Sequence, residues 1–204
     1  MRSLTAMIHR WRWGTLEERR RNGLVLLHDV LAGTPLQGKY WMIMGLLLGC
    51  VRDGGPIKWD RDADFGFLES DLPHFLAAAE VLRSRGFNLR PRQLNNDGSV
   101  TKWAFKYQGV KYEFFMFLER EDRLRWLYHS QKLHLELINE VPRHGLDEIE
   151  LYGRRWLKPA NADEYLTTLY GNWRTPDPNY SYARDCQATV SRAPWSGKRR
   201  RAGS

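Results

Sequence analysis

The chain has 204 residues, of which 42% are hydrophobic, so it can form one globular domain with a substantial core. Its two cysteines exclude a disulfide framework, and no Cys/His spacing suits a structural zinc. The longest apolar run, Trp41 to Val51, is shorter than the roughly 20 residues that cross a bilayer. With no apolar signal core after the first basic residues and a net charge of +8, we expect a cytoplasmic protein with acidic partners.

The first region, residues 1–38, reads as a basic arm followed by a helix. Residues 1–14 are basic and carry two tryptophans, which we expect to dock on the main body. From Leu16 to Leu31 apolar residues recur at helical spacing, and Arg19 to Arg21 are expected on the exposed side. Glycine and proline then interrupt the pattern, so we place the start of the main domain, residues 39–178, after them.

The next stretch combines a buried segment with a row of acids. Tyr40 to Met44 predicts a buried strand, and Leu46 to Val51 fits either a strand or a helix by periodicity alone. Glycines and a proline at 54–56 break the chain again. Asp62 to Leu68 alternates between polar and apolar residues, as expected of a half-buried strand.

Asp60, Asp62 and Asp64 form a carboxylate ladder. Side chains two residues apart on a strand share a face, with Cα atoms roughly 6.5 Å apart. Two like charges about 4 Å apart repel by roughly 4 kcal/mol at an effective dielectric of about 20, so a divalent cation is the simplest partner for the cluster. A helix-loop-helix calcium loop fits poorly, because Phe65 and Asp71 stand where it needs Gly and Glu, and a purely structural acidic turn stays open as the alternative.

A probable hairpin supplies a further acid. A helix is expected to begin at Ser70 or Asp71 and to end at Gly86. Beyond it, Val100 to Tyr107 and Val110 to Leu118 flank a Gln-Gly turn. Glu113 lies in the second arm among strand-forming residues, where an unpaired charge is costly to bury. We therefore predict Glu113 as the third carboxylate of the site.

The remaining chain carries weaker signals. Arg123 to Glu140 reads as helical or loop-like, and its two histidines are five apart, which favours a structural role. Ile149 to Trp156 is compatible with a short strand. Pro159 to Pro176 predicts a helix capped by Asn161 or Asp163 and stopped by a glycine. Residues 179–204 are expected to be a basic, flexible tail.

The run GLLLGCVRDGGPIKWDRDADFGF, residues 45–67, resembles the signature of the LicD and fukutin-related family of nucleotidyltransferase-fold enzymes. It has a glycine-bounded LLG, an Arg, a Trp-Asp and a spaced aspartate pair in that order. The resemblance implies an α+β fold with a mixed β-sheet flanked by helices, and a short helix that opens at Gly45. It also implies a metal-dependent transferase that moves phosphocholine or an alditol phosphate from a CDP-linked donor to a glycan acceptor.

The ladder and the resemblance together give a set of candidate site residues. We expect Asp60, Asp62, Asp64 and Glu113 to be catalytic, with Mg²⁺ or Mn²⁺ held by the last three. Which acid accepts the proton of the attacking hydroxyl stays open. The candidates for binding phosphate are a set of glycines, a leucine and two cations: Gly45, Leu46, Gly49, Arg52 and Lys58.

The chain departs from the family pattern at three of these neighbouring positions. Met44 and Leu46 stand where small residues are usual, and Lys58 stands where proline is usual. The leucine removes a hydroxyl that would be expected to bind phosphate.

Two other functions stay open at this point. A nucleotidyltransferase with the same fold would modify a protein, a small molecule or RNA, and it would release pyrophosphate rather than cytidine monophosphate. A catalytically weakened relative could bind nucleic acid through its basic residues and nine tryptophans, with affinity that falls steeply with salt.

Overall fold

The computed structural model describes residues 14–200, and the two tryptophans of the N-terminal arm lie outside this range. The helices are α1 (Leu16–Leu31), α2 (Met44–Asp53), α3 (Leu72–Ser84), α4 (Ala162–Tyr170) and α5 (Tyr182–Asp185). The strands are β1 (Tyr40–Met42), β2 (Asp62–Leu68), β3 (Asn88–Leu89), β4 (Arg92–Gln93), β5 (Lys102–Tyr107), β6 (Val110–Arg120), β7 (Arg123–Ser130), β8 (Leu135–Pro142), β9 (Leu146–Leu151), β10 (Arg154–Pro159), β11 (Thr189–Pro194) and β12 (Arg199–Arg200). No helix in residues 14–200 is long and apolar enough to span a bilayer.

An eight-stranded mixed sheet forms the centre of the molecule. Its order is β1-β2-β6-β7-β8-β11, with β5 also paired to β6 and β3 paired to β5. β2 and β6 run parallel, whereas β5 joins β6 as an antiparallel hairpin. This arrangement confirms the predicted α+β fold with a mixed sheet and flanking helices.

The alternation along β2 separates the core from the site. Ala63, Phe65 and Phe67 are fully buried on one face, and the aspartates point to the other. The Phe65 ring packs between Phe114 and Trp156, with ring centroids 5.2 and 5.6 Å away. Burial of these aromatic rings holds β2 in a single register, because a slip by one residue would drive the aspartates into the core.

Local signals predicted several elements correctly. The first helix spans Leu16–Leu31, and Thr15 and Glu18 close its N-terminus as a capping box. Asn161 caps α4 by accepting a hydrogen bond from the Glu164 backbone N–H, and the helix stops at Gly171. Ile149 to Trp156, expected as one short strand, instead spans the turn between two antiparallel strands, β9 and β10.

The prediction for Arg123 to Glu140 was wrong. This segment forms β7 and most of β8, an antiparallel hairpin rather than a helix or loop. Its inward positions include Leu124, Trp126, Leu137 and Val141, which alternate as in strands. Apolar Leu127 and Ile138 on the other face, and the buried polar residue Asn139, obscure this alternation in the sequence.

Residues 179–200 differ from the flexible tail that we expected. They contain α5 and β11, and β11 pairs with β8 at the edge of the large sheet. Trp195 is buried and its indole Nε1 donates a hydrogen bond to the carbonyl of Leu94 at 2.7 Å. Such long-range pairing leaves no local signal in the sequence.

Candidate active site

Three carboxylates converge on one face of the sheet. Asp64 on β2 is paired in register with Glu113 on β6, and Asp62 lies two residues before Asp64 on the same face. One side-chain oxygen from each of the three residues lies within 4.8 Å of the others. The predicted meeting of two acids from the first third of the chain with a third acid is therefore present in the fold.

Asp64 is half-buried and lies between the other two acids of this cluster. Its Oδ1 is buried and has no hydrogen-bond partner within residues 14–200. Burial, followed by the charges of Asp62 and Glu113, raises the pKa of Asp64 well above its usual range. A buried carboxylate oxygen without a partner, beside two other acids, fits a divalent cation with hard oxygen ligands.

Two lysines offset part of the negative charge. Lys102 Nζ lies 3.1 Å from Glu113 Oε1, and Lys111 Nζ lies 2.7 Å from both Asp62 Oδ2 and Glu113 Oε2. Burial opposes ionisation of Glu113, but Lys102 and then Lys111 outweigh it and hold its pKa below the usual value. The two ammonium groups thus pair with Glu113 and Asp62, and no ion pair of residues 14–200 involves the third acid, Asp64.

Asp60 joins the cluster from the loop before β2. Its side chain is hydrogen-bonded to that of Asp62, and burial, followed by this contact and the charge of Asp62, raises the pKa of Asp60 to about 7. Asp62 moves in the other direction: burial opposes its ionisation, but the hydrogen bond with Asp60 and the charge of Lys111 lower its pKa. Within this pair, Asp60 is therefore the residue that binds a proton more readily, and Asp62 is the ionised carboxylate.

Gly45, in the first turn of α2, makes room for Asp60. A Cβ added at Gly45 would lie 2.6 Å from Asp60 Oδ2, closer than any ordinary contact. The neighbouring Met44 has a φ of 49°, in the left-handed region that non-glycine residues rarely occupy. The backbone at the start of α2 is therefore shaped to let the loop acid approach.

Arg20 on α1 holds the loop that precedes β2 in place. We expected Arg19 to Arg21 on the exposed side of α1, but Arg19 and Arg20 are only 8% and 2% exposed. The Arg20 guanidinium donates hydrogen bonds to the carbonyls of Ile57 and Asp60 at 2.7 and 2.8 Å and to that of Pro56 at 3.3 Å. A cationic fork buried against three backbone carbonyls holds residues 56–60 in one conformation.

The acids form part of the wall of a cavity of about 680 Å³. Its other walls carry basic side chains from three separate segments: Arg90, Arg92, Lys132 and Arg199. Tyrosines from β7, from the end of α4 and from the segment that follows α4 line it as well: Tyr128, Tyr170, Tyr180 and Tyr182. A cavity with acids at one point and cations around it suits a ligand that carries several phosphates.

Comparison with known proteins places this fold and cluster in a family. The LicD/FKTN/FKRP nucleotidyltransferase domain matches residues 37–161, more than half of the chain. The chain belongs to the LicD/FKTN/FKRP family. This membership supports a transferase of the phosphotransferase type.

Two curated relatives extend the match beyond the LicD domain. An uncharacterized protein of Rickettsia typhi is 25% identical over 172 residues, which cover 77% of this chain and 49% of the relative. An uncharacterized protein of Rickettsia prowazekii is 25% identical over 146 residues, covering 72% of this chain and 52% of the relative. The chain therefore spans about half the length of the curated relatives it matches.

The LicD domain does not bring every predicted phosphate-binding residue to the acids. Gly45 lines the cavity, but the Leu46 side chain is 1% exposed and belongs to the core. Gly49 instead allows close packing, because a Cβ there would lie 2.7 Å from the Gly55 carbonyl oxygen. Arg52 pairs with Asp53 and lines a neighbouring groove.

Lys58 is exposed and is absent from the described wall of the cavity. The cation in contact with two of the acids is instead Lys111, which sequence reasoning missed. Lys111 precedes Glu113 by two residues on β6, so the same-face rule that linked Asp62 to Asp64 also predicts this contact. His129, expected to be structural, lines the cavity while its Nε2 is hydrogen-bonded to Glu136 at 3.1 Å.

Proposed function

We propose that this chain is a metal-dependent transferase that moves a phosphate-linked group, of the phosphocholine or alditol phosphate type, from a CDP-activated donor to a glycan hydroxyl. The observation that carries the proposal is the convergence of Asp62, Asp64 and Glu113 beside a basic cavity. Family membership supports the transferase class, and the donor, the acceptor and the metal are our proposal. The buried free thiols of Cys50 and Cys186 suit the cytoplasmic location that we also propose.

Asp62, Asp64 and Glu113 would hold the metal. Mg²⁺ or Mn²⁺ bound there supplies positive charge to the phosphate oxygens as charge builds on them during transfer. The unpartnered Asp64 Oδ1 is the strongest reason to place the ion among these three residues. Lys111, half exposed and in contact with two of the acids, balances them when the ion is absent.

The basic residues of the cavity wall would bind the donor. Arg90, Arg92, Lys132 and Arg199 come from different segments, so together they can surround a diphosphate. Charge-assisted hydrogen bonds from guanidinium groups fix both the position and the orientation of phosphate oxygens. The cavity wall thus takes the phosphate-binding role that was predicted for Arg52 and Lys58.

Asp60 is our candidate for the general base. A base works best when its pKa lies near the working pH, and the pKa of Asp60 is raised to about 7. The carboxylate takes the proton of the acceptor hydroxyl while the hydroxyl oxygen forms a bond to the phosphorus of the transferred group. The bond from that phosphorus to the bridging oxygen breaks, and cytidine monophosphate leaves with the electron pair.

The direct test is a panel of CDP-linked donors, including CDP-choline and CDP-alditols, incubated with the full chain and either Mg²⁺ or Mn²⁺. We expect release of cytidine monophosphate that stops on chelation and is lost in Asp64→Asn. Release of pyrophosphate from a nucleoside triphosphate, with no reaction of CDP conjugates, would replace this proposal with a nucleotidyltransferase. Binding of nucleic acid without any turnover would favour the weakened relative.

A further inference from the structure

A second groove opens beside the candidate active site. It has a volume of about 1010 Å³ and is bounded by the loop after α2 and by residues 170–180 after α4. The groove and the catalytic cavity share wall residues from both sides: Leu48, Ile57, Tyr170 and Tyr180. A molecule in the groove would therefore reach the edge of the cavity that holds the acids.

Trp59 lines this groove and is exposed over 72% of its surface, the largest value among the big hydrophobic side chains described. It directly precedes Asp60, the candidate base. The loop that carries both residues is fixed by the hydrogen bonds from Arg20 to Ile57 and Asp60. An aromatic face held open to solvent on a fixed loop beside a reacting group is typical of a binding platform.

The opposite wall is aromatic and polar. Trp173 is 7% exposed, with the Arg174 guanidinium 4.4 Å from its ring centroid and its Nε1 hydrogen-bonded to Thr167. Asn172 and Asp177 add an amide and a carboxylate to this wall. The groove thus offers rings and hydrogen-bonding groups along the same surface.

The charges of the two cavities differ. Arg52 is the cation on the described wall of the groove, and its guanidinium is paired with Asp53 at 2.8 Å. The catalytic cavity, by contrast, has cations on several of its walls. A phosphate-bearing donor suits the basic cavity, whereas an uncharged, hydroxyl-rich molecule suits the groove.

We propose that the groove binds the saccharide acceptor, with a neutral sugar ring stacked on Trp59 and its hydroxyls bonded to Asn172 and Asp177. The identification as the acceptor rests on the proposed function. The C–H face of a pyranose is apolar and packs on an indole, while its hydroxyls need polar partners at the ring edge. The groove shares Leu48 and Ile57 with the catalytic cavity, so a ring stacked on Trp59 lies beside the loop that carries the candidate base.

The test is binding of neutral oligosaccharides to the full chain, by saturation-transfer NMR across a panel of probes, without donor or metal. We expect binding of at least one probe, at least 10-fold weaker in Trp59→Ala and largely kept in Trp59→Phe. Val190→Ala removes an exposed apolar side chain outside both cavities and serves as the matched control, with unchanged binding. Circular dichroism of each variant checks that the fold is kept.

The affinity for cytidine monophosphate distinguishes a sugar platform from a base platform. We expect it to be unchanged in Trp59→Ala. If this affinity fell 10-fold instead, or if no neutral oligosaccharide bound the wild type, the inference would be overturned. Saccharide binding that depends on Trp59 in a chain that turns over no CDP-linked donor would support the groove and contradict the proposed reaction.

Discussion

Asp62, Asp64 and Glu113 stand on neighbouring strands, whereas Trp59 and Asp60 stand on the loop that precedes those strands. The strand acids are held by a parallel ladder and by the aromatic core on the opposite face of β2. The loop residues have no such ladder. They depend on hydrogen bonds from Arg20, which lies on α1, about 40 positions earlier in the chain.

We call the strand acids the strand half of the site, and Trp59 and Asp60 the loop half. The two halves should respond differently to substitution. A substitution in the strand half changes charge without moving the backbone, because the ladder and the core determine the backbone position. A substitution that removes a support of the loop half moves Trp59 and Asp60 although neither residue has changed. The following predictions separate the two kinds of failure, in order of expected effect.

The largest effect is expected for Asp64→Asn in the strand half. The change keeps the shape but removes a metal-ligand charge, and we expect at least about 100-fold slower transfer, or about 2.7 kcal/mol of transition-state stabilisation. The free energy of unfolding should stay the same or rise by about 1 kcal/mol, since a buried carboxylate beside two acids is relieved. Steady-state rates and urea unfolding measure both.

Glu69→Gln is the matched control for Asp64→Asn. Glu69 is an exposed acid just after β2, and its neutralisation should change neither the rate nor the stability measurably. Full turnover by Asp64→Asn would remove the strand acids from the mechanism. A large loss of stability in the same variant would show that Asp64 serves the fold rather than the reaction.

Arg20→Met removes the hydrogen bonds that support the loop half, although Arg20 itself lies on α1. It leaves the carbonyls of Pro56, Ile57 and Asp60 without their donor, and we expect a loss of about 3 kcal/mol in the free energy of unfolding. For a chain of this size the thermal midpoint should fall by about 2–4 °C for each kcal/mol. Transfer should fall even at temperatures where the variant is fully folded, because Asp60 is no longer positioned.

Arg21→Met is the control for this loop prediction. Arg21 is exposed and rests over the Tyr152 ring at 5.5 Å, so its replacement should cost less than about 1 kcal/mol. If both arginine variants lost the same stability, a general effect of charge on α1 would explain the result. The specific hold of Arg20 on the loop would then be contradicted.

Gly45→Ala tests the contact between the two halves. The added Cβ would lie 2.6 Å from Asp60 Oδ2, so Asp60 must move while the strand acids stay in place. We expect about 10-fold slower transfer, or about 1.4 kcal/mol. Stability should change little, because alanine favours the helix by about 1 kcal/mol over glycine and offsets part of the clash.

Gly33→Ala serves as the control, since the nearest atom to an added Cβ there is a carbonyl oxygen at 3.7 Å. It should leave the rate unchanged. A Gly45→Ala variant with normal turnover would mean that Asp60 is not needed in its present position. Thermal unfolding measured alongside the rates keeps a folding defect apart from a catalytic one.

A similar contrast, between features with local causes and features that depend on distant partners, explains what could be predicted from the sequence. Alternation along β2 predicted the shared face of Asp62 and Asp64, because two-residue periodicity is a local property. Glu113 was predicted as an acid among strand-forming residues, where an unpaired charge is costly to bury. Helical spacing predicted the limits of α1, and a capping residue and a glycine predicted those of α4, because these signals are local as well. Features that depend on distant partners were not predictable in this way.

Arg20 and the β7–β8 hairpin illustrate the second group. Arg20 lies in a run of charges and reads as exposed, since only the fold brings the carbonyls of residues 56–60 to it. The hairpin from Arg123 to Pro142 was missed because outward apolar residues, Leu127 and Ile138, and the buried polar Asn139 interrupt its polar/apolar alternation. Pairing of β11 with β8 joins segments some 50 residues apart, and no local pattern marks it.

The smallest effect is expected for Lys111→Gln, which tests the strand half alone. In the presence of a chelator the variant should lose about 1 kcal/mol of stability, because Asp62 and Glu113 keep their charges without the ammonium between them. Mn²⁺ should then raise the thermal midpoint of Lys111→Gln by more than it raises that of the wild type, since the ion replaces the missing charge. Lys106→Gln is the matched control, because Lys106 is the exposed register partner of Lys111 on β5. Equal protection of all three proteins by Mn²⁺ would place the ion away from Asp62 and Glu113, and the strand acids would then hold a lysine rather than a metal.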